Sequence, residues 1–323
     1  MARLAATIAN ERQRIMQTIR AFLCERGYTE VETPILLKCP GMEPNLVPFE
    51  TTVINEKKER FAGALATSPE YSMKKLLGQG MEKIFSITKV FRNEEEFGNT
   101  HNHEFTMMEW YTQGADHHAM MDETEGLIRE VGKAFGKEWP AFQRLSVRQL
   151  FIQFVQLDLL SAGATELAVR CHELGVHTDP TDTESDLYYR LFLQFVEPNL
   201  PRDPVFVYDY PRYQASLSRL DATGRFGERV ELYMDHLELS NGFTELTDAL
   251  EQRRRFLEEA EERRRIGKTV FPIDEEFLRL LPSVATPTFG NAMGLDRLHM
   301  MMIGTKDIED VLLFPGRKLF LGG

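Results

Sequence analysis

The chain has 323 residues, enough to bury a substantial core, and its 42% hydrophobic and 27% charged residues are ordinary for a globular protein and exclude wholesale disorder. Thirty-eight Lys and Arg against fifty Asp and Glu give a net charge of −12, which opposes non-specific attraction to a phosphate backbone. Cys24, Cys39 and Cys171 form no C-x-x-C pair and suit neither a zinc ribbon nor a disulfide framework, and no window approaches the roughly eighteen apolar residues of a membrane span, so a cytoplasmic protein with reduced thiols and no membrane partner is expected.

Ile8, Ile15, Ile19, Phe22 and Leu23 recur at helical spacing, with Gly27 placed to end the helix; residues 28–33 read as extended and Pro34 breaks them. Residues 83–92 and 104–111 are rich in β-branched and aromatic side chains and flank a polar loop, 93–103, which predicts an antiparallel hairpin with a functional loop. From Met120 to Val196 the pattern is helical, with Leu187, Tyr188, Leu191, Phe192 and Phe195 on one face and Pro198 closing the run. Residues 205–210 and 230–243 return to strand character. Residues 248–266 follow as a helix whose charge run, with Glu251 to Arg255 and Glu259 to Arg263 as i,i+4 pairs, reads as a solvated face. Small residues from Gly290 lead into an apolar, methionine-rich helix ending near Ile303. The expectation is one α+β domain with a helical insertion over about residues 116–200 and no internal repeat.

Three segments hold candidate chemistry. Two-residue alternation puts Phe105, Met107, Glu109 and Tyr111 on one face of the second hairpin strand, where a carboxylate and a phenol suit a cation, an aromatic ring suits a planar base, and Arg92 at the loop's edge suits phosphate; an edge sheet with a surface ion pair is the plainer reading. In residues 238–245, Asn241, Phe243 and Glu245 share a face, and Glu238 joins them only through a bulge, placed at Gly242; such acids suit Mg²⁺ with substrate phosphates, or else are solvated at a strand end. Residues 290–297 join a small-residue stretch to a helix start that carries Arg297, and match neither a Walker loop nor a dinucleotide fingerprint. His101, His103, His117 and His118 lack metal-ligand spacing and read as loop or surface residues, and no local nucleophile signature occurs.

In this order the segments resemble the three signatures of the class II aminoacyl-tRNA synthetases, closest to the lysyl branch. Residues 27–34 resemble the first signature, which contributes to a dimer interface; residues 90–94 with 104–111 resemble the second, and residues 290–297 the third. Residues 67–70 and 238–248 resemble the lysine-pocket segments, and the resemblance runs over about residues 8–316. It implies an antiparallel sheet flanked by helices, a homodimer, ATP as substrate and Mg²⁺. By the same resemblance Arg92 holds the α-phosphate and the substrate carboxylate, and Arg297 the γ-phosphate; Asn93, Glu94, Asn102, Phe105, Leu239 and Gly294 line the nucleotide, and Glu238 supports Mg²⁺. Ser68 and Glu70 recognise a substrate amino group, while Glu109, Tyr111, Asn241, Phe243, Glu245 and Ala292 complete the pocket, with Glu245 facing a side-chain ammonium.

The bacterial lysyl-tRNA synthetases carry an anticodon-binding barrel before the first signature, which here begins at Gly27, so no such domain and no stable tRNA binding is expected. With Ala292 in place of the usual glycine, the chain resembles the elongation factor P (R)-β-lysine ligases (the GenX/PoxA family), whose partner is elongation factor P. The alternative is a lysyl-tRNA-synthetase-like enzyme acting on tRNA or another small acceptor, and the tail, residues 310–315, resembles a lysyl-tRNA synthetase ending.

Overall fold

The computed structural model describes residues 3–322. In chain order it forms helix α1 (Ala5–Cys24), strands β1 (Thr29–Glu30), β2 (Leu36–Leu37), β3 (Glu50–Ile54) and β4 (Arg60–Leu65), helix α2 (Glu70–Gly78), and strands β5 (Lys83–Phe91) and β6 (Glu104–Gln113). Helix α3 (His117–Ala134), strand β7 (Gln143–Ser146), helices α4 (Val147–Leu150), α5 (Ala164–Glu173) and α6 (Glu184–Leu191), and strands β8 (Val205–Pro211), β9 (Phe226–Met234) and β10 (Leu237–Thr244) follow. Helices α7 (Ala249–Arg265) and α8 (Glu275–Leu280), strand β11 (Thr288–Gly294), and helices α9 (Leu295–Ile303) and α10 (Gly316–Leu321) complete it. These elements make two compact units, one of residues up to 115 with 126–138 and from 247 onward, the other of residues 116–125 with 139–246.

In the first unit the strands run in the order β1-β5-β6-β11. β1 lies parallel to β5, whereas β5 and β6 are antiparallel with Phe91 opposite Glu104, and β6 and β11 are antiparallel with Glu109 opposite Ala292. A smaller sheet, β2-β4-β3, stands apart from this one. Helix α1 buries Ile8, Ile15, Ile19, Phe22 and Leu23, the stripe its spacing predicts, and Gly27 closes it at φ +82°. Those five side chains contribute roughly 10 kcal/mol of burial free energy, which is what holds a twenty-residue helix with no side-chain cap at its N-terminus. Two polar ties join α1 to α9: Arg12 pairs with Asp296 at 3.1 Å and His299 Nε2 meets Glu11 Oε2 at 2.9 Å. The extended stretch after Gly27 is short, with only Thr29 and Glu30 in a strand.

In the second unit the order is β10-β9-β8-β7, with β7 parallel to β8 and the other pairs antiparallel. Phe151, Tyr188, Leu191, Phe192, Val205, Val207, Tyr210 and Tyr233 are among the residues of one buried cluster. The predicted helical run from Met120 to Val196 is broken here by β7, and α4 and α6 each pass into a π-helical turn, at Phe151–Val155 and Phe192–Val196. Phe192 is buried and Phe195 packs against the same cluster, so the apolar face continues through the wider turn. Residues 230–243 are not one strand: Asp235 and His236, at φ +51° and +62°, make a two-residue hairpin turn of the kind that matches strand twist.

The charge run of α7 is not wholly solvated. Glu251 does pair with Arg255 at 2.9 Å, but Arg263 is 2% exposed and donates to the carbonyls of Thr269, Glu43 and Leu46 at 2.6, 2.8 and 3.0 Å. Helical periodicity reports which side chains share a face, not that a loop lies against that face.

Candidate active site

Within the first unit, the chain enters α2 through Ser68 and Pro69. Ser68 Oγ accepts from the Glu70 N–H at 3.0 Å and donates to Glu109 Oε1 at 2.6 Å, so one hydroxyl ties the helix start to β6. Tyr111, two residues along the same face of β6, donates its hydroxyl to Glu109 Oε2 at 2.8 Å. Glu109 is only 2% exposed. Burial, and then the charge of Glu70, push its pKa up to about 8, against the pull of Ser68, Tyr111 and Lys74. Glu70 Oε1 pairs with Lys74 Nζ at 2.5 Å, one helical turn on, and Lys74 is itself buried.

A third carboxylate belongs to this neighbourhood. Glu43 is raised above the usual carboxylate range by burial and by Glu70, and drawn down by Arg92 and Lys74. Its side chain folds against Gly41, at φ +130°, where an added Cβ would stand 2.5 Å from Glu43 Oε2. Neither Glu43 nor Lys74 was marked by the sequence reading, because the first lies in an irregular loop and the second reads as an ordinary helix lysine. A cation arriving beside these carboxylates would favour the ionised form of Glu109.

Ala292 stands across from Glu109 in the β6–β11 pairing, so its methyl lies on the same face, about 5 Å from the Glu109 Cβ by sheet geometry. The small-residue stretch lies in β11, and the helix begins at Leu295 with Gly294 as its N-cap. A Cβ at Gly294 would meet the stem of Arg297 at 3.8 Å. Arg297 donates from Nε to the Thr100 carbonyl at 3.3 Å, and its Nη2 lies 3.0 Å from His101 Nε2. Burial and the Arg297 charge lower the His101 pKa, which favours the neutral ring that can accept this contact.

The hairpin loop is anchored at both ends. The Arg92 N–H donates to the His103 carbonyl at 2.9 Å, and its guanidinium carbon lies 5.2 Å from the centroid of the Phe105 ring. The Asn93 N–H donates to the Val47 carbonyl at 2.7 Å, and Asn93 Oδ1 caps the N–H of exposed Glu94, which sits at φ +60°. Asn102 is buried and committed on both sides: Nδ2 donates to the Glu104 carbonyl at 2.6 Å and Oδ1 accepts from the Gly316 N–H at 2.9 Å. This tie to the start of α10 was not legible from the loop sequence.

In the second unit, the β-bulge of β10 falls between Glu238 and Ser240, at Leu239, and not at Gly242. The pairing sets Glu238, Asn241 and Phe243 opposite Tyr233, Glu231 and Arg229, so the extra residue does bring Glu238 onto the Asn241 face. Leu239, 2% exposed, packs inward, and Glu245, just past the strand, is 1% exposed. Glu238 is half-buried, and among the described residues no three His, Cys, Asp or Glu converge on a metal site. A partly exposed carboxylate such as Glu238 is of the donor type Mg²⁺ takes, a few carboxylates alongside substrate phosphates and water. His117, read as a surface residue, is instead buried, with Nδ1 3.1 Å from Thr244 Oγ1.

The three cysteines are free, and no helix of the described residues is long and apolar enough to cross a membrane. The family model described as tRNA synthetases class II (D, K and N) matches residues 3–318.

Proposed function

This chain belongs to the class II tRNA synthetases (D, K and N), and on that premise we propose that it activates (R)-β-lysine or lysine as the aminoacyl adenylate and passes it to a lysine side chain of elongation factor P. Its α+β fold, antiparallel strands flanked by helices, is the catalytic fold of that family, and membership makes it an ATP-dependent amino-acid ligase. The observation that carries the reading is Glu109, which would meet the substrate's amino group: a buried carboxylate, oriented by Ser68 and Tyr111 and held toward its neutral form beside Glu70. The side-chain ammonium is assigned to Glu245, a carboxylate just past β10 that is 1% exposed.

In the proposed reaction the substrate carboxylate is itself the nucleophile, so adenylation needs no general base. Arg92 aligns that carboxylate with the α-phosphate, and Arg297, steadied by Thr100 and His101, balances charge on the γ-phosphate. Asn93, Glu94, Asn102, Phe105, Leu239 and Gly294 surround the nucleotide. Bound at Glu238, Mg²⁺ supplies further charge neutralisation to the phosphates. Ser68, Glu70, Glu109 and Tyr111 orient the amino group, Asn241 and Phe243 flank the substrate, and Glu245 receives the side-chain ammonium. Residues 27–34 contribute to a homodimer.

Two features support a protein acceptor. The net charge of −12 disfavours tRNA, and the Ala292 methyl beside Glu109 trims the space next to the acid that reads the amino group, which suits a substrate whose amino group is displaced by one carbon. The test is transfer of radiolabelled lysine and (R)-β-lysine, with ATP and Mg²⁺, to purified elongation factor P and, in parallel, to bulk tRNA. Label on the protein, greater from the β isomer, is expected; label on tRNA alone overturns the acceptor and makes tRNA aminoacylation the activity.

A further inference from the structure

The second unit holds a charged group to which no role has been given. Arg229, on β9, has a side chain 14% exposed, and each edge of its guanidinium is engaged. Nε donates to Asn241 Oδ1 at 3.1 Å, Nη1 to the Gln214 carbonyl at 2.8 Å, and Nη2 to Glu231 Oε1 at 2.5 Å. Its guanidinium carbon stands 4.6 Å from the centroid of the Tyr210 ring. Glu231 is in turn held by the hydroxyls of Tyr210 and Tyr233.

An arginine N–H has nothing to accept with, so the amide oxygen of Asn241 must face it, and the amide's N–H donors are turned to the opposite side, where a ligand would meet them. Burial works against the charge of Arg229, but Glu231 holds the guanidinium firmly protonated. We propose that Arg229 is a positioning residue, which fixes the side-chain amide of Asn241 in a single orientation against the substrate, with Glu231, Tyr210 and Tyr233 as the frame that keeps the guanidinium in place. This rests on Asn241 being a substrate residue, as in the proposed function. A buried, fully bonded frame has one geometry, and that rigidity is what an orienting contact requires. Lysine cannot replace arginine here, because an ammonium on a flexible stem lacks the planar fork that reaches Asn241, Glu231 and Gln214 together.

The experiment is a double-mutant cycle in ATP–pyrophosphate exchange, using the full chain as wild type, Arg229→Gln, Asn241→Ala and the pair, with lysine and (R)-β-lysine as probes. Arg229→Gln is expected to lower kcat/KM for the amino acid by about 10- to 100-fold, with the KM for ATP within about twofold of wild type. In the Asn241→Ala background the same substitution is expected to cost under about threefold, because the group it positions is gone. Since Arg229→Gln leaves Glu231 buried without its partner, Arg229→Lys is measured beside it: a wild-type unfolding midpoint with most of the loss retained supports positioning. Additive losses in the cycle, a matching loss in ATP affinity, or full rescue by Arg229→Lys overturns it. Wild-type protein that exchanges with neither amino acid overturns the functional reading instead.

Discussion

Substituting Glu109 tests the electrostatics of the pocket without any assumption about the acceptor. The carboxyl titrates at about 8 in the folded protein against 4.5 in the open chain, so between those values the folded state keeps a proton that the unfolded state has released. The sign follows: stability from this group is fully present below about pH 4.5 and is lost as the pH rises toward about 8, opposite to a carboxylate in an ion pair. At 1.36 kcal/mol per unit, the loss between about pH 6 and about pH 8 comes to about 2 kcal/mol. Glu109→Gln keeps the shape and an acceptor for one of the two hydroxyls, and it never ionises. Urea unfolding of both proteins at the two pH values is the assay, since the difference between them cancels every other titrating group. Wild type is expected to lose about 2 kcal/mol more than the variant over this range. Parallel pH profiles refute the reasoning. The same linkage predicts that saturating lysine releases close to one proton per site at about pH 7, read by calorimetry in buffers of different ionisation enthalpy.

The other predictions separate the parts of the proposed site. Glu245→Ala is expected to raise the KM for lysine far more than that for ATP, and Arg297→Ala to do the reverse; exchange kinetics that leave both variants at wild-type values sink these assignments. Gly316→Ala places a methyl 2.9 Å from Asn102 Oδ1, a clash worth about 1 to 3 kcal/mol if the loop does not yield. The expected result is a several-fold higher KM for ATP with the KM for lysine unchanged, and equal KM values for ATP refute the coupling of α10 to the hairpin loop. Asp296→Ala strips Arg12 of its partner and leaves the Thr106 N–H, now 2.7 Å from Asp296 Oδ2, without its acceptor; denaturant unfolding is expected to show a loss of about 3 to 5 kcal/mol.

Regular elements were legible because burial imposes a period on them. The buried stripe of α1, the hairpin of β5 and β6, and the shared face of Phe105, Met107, Glu109 and Tyr111 follow from spacing alone. Irregular points were not. Alternation requires an extra residue between Glu238 and Asn241 if the two are to share a face, but glycine propensity pointed to Gly242, whereas the structure puts the bulge at Leu239, where a buried side chain holds it. The turn at Asp235 and His236 carries no Asn-Gly or Asp-Gly signal and was absorbed into a strand.

Those two local irregularities also explain why the positioning residue was missed. Which side chain of β9 lies opposite Asn241 depends on where the turn falls and on which side of Asn241 the bulge sits, and an error of one residue in either moves every partner to the other face. With the turn at Asp235 and His236 and the bulge at Leu239, Glu231 lies opposite Asn241 and Arg229 opposite Phe243, one diagonal step from the amide it holds. Glu43 escaped for a related reason: its loop has no period, and its place beside Glu70 is set by Arg263 of α7 gripping the Glu43 and Leu46 carbonyls from more than two hundred positions away. Of the proposed site residues, Phe105, Glu109 and Tyr111 lie on a strand whose alternation announces them, whereas Arg229 and Glu43 are placed by register and by distant backbone contacts, which alternation does not report.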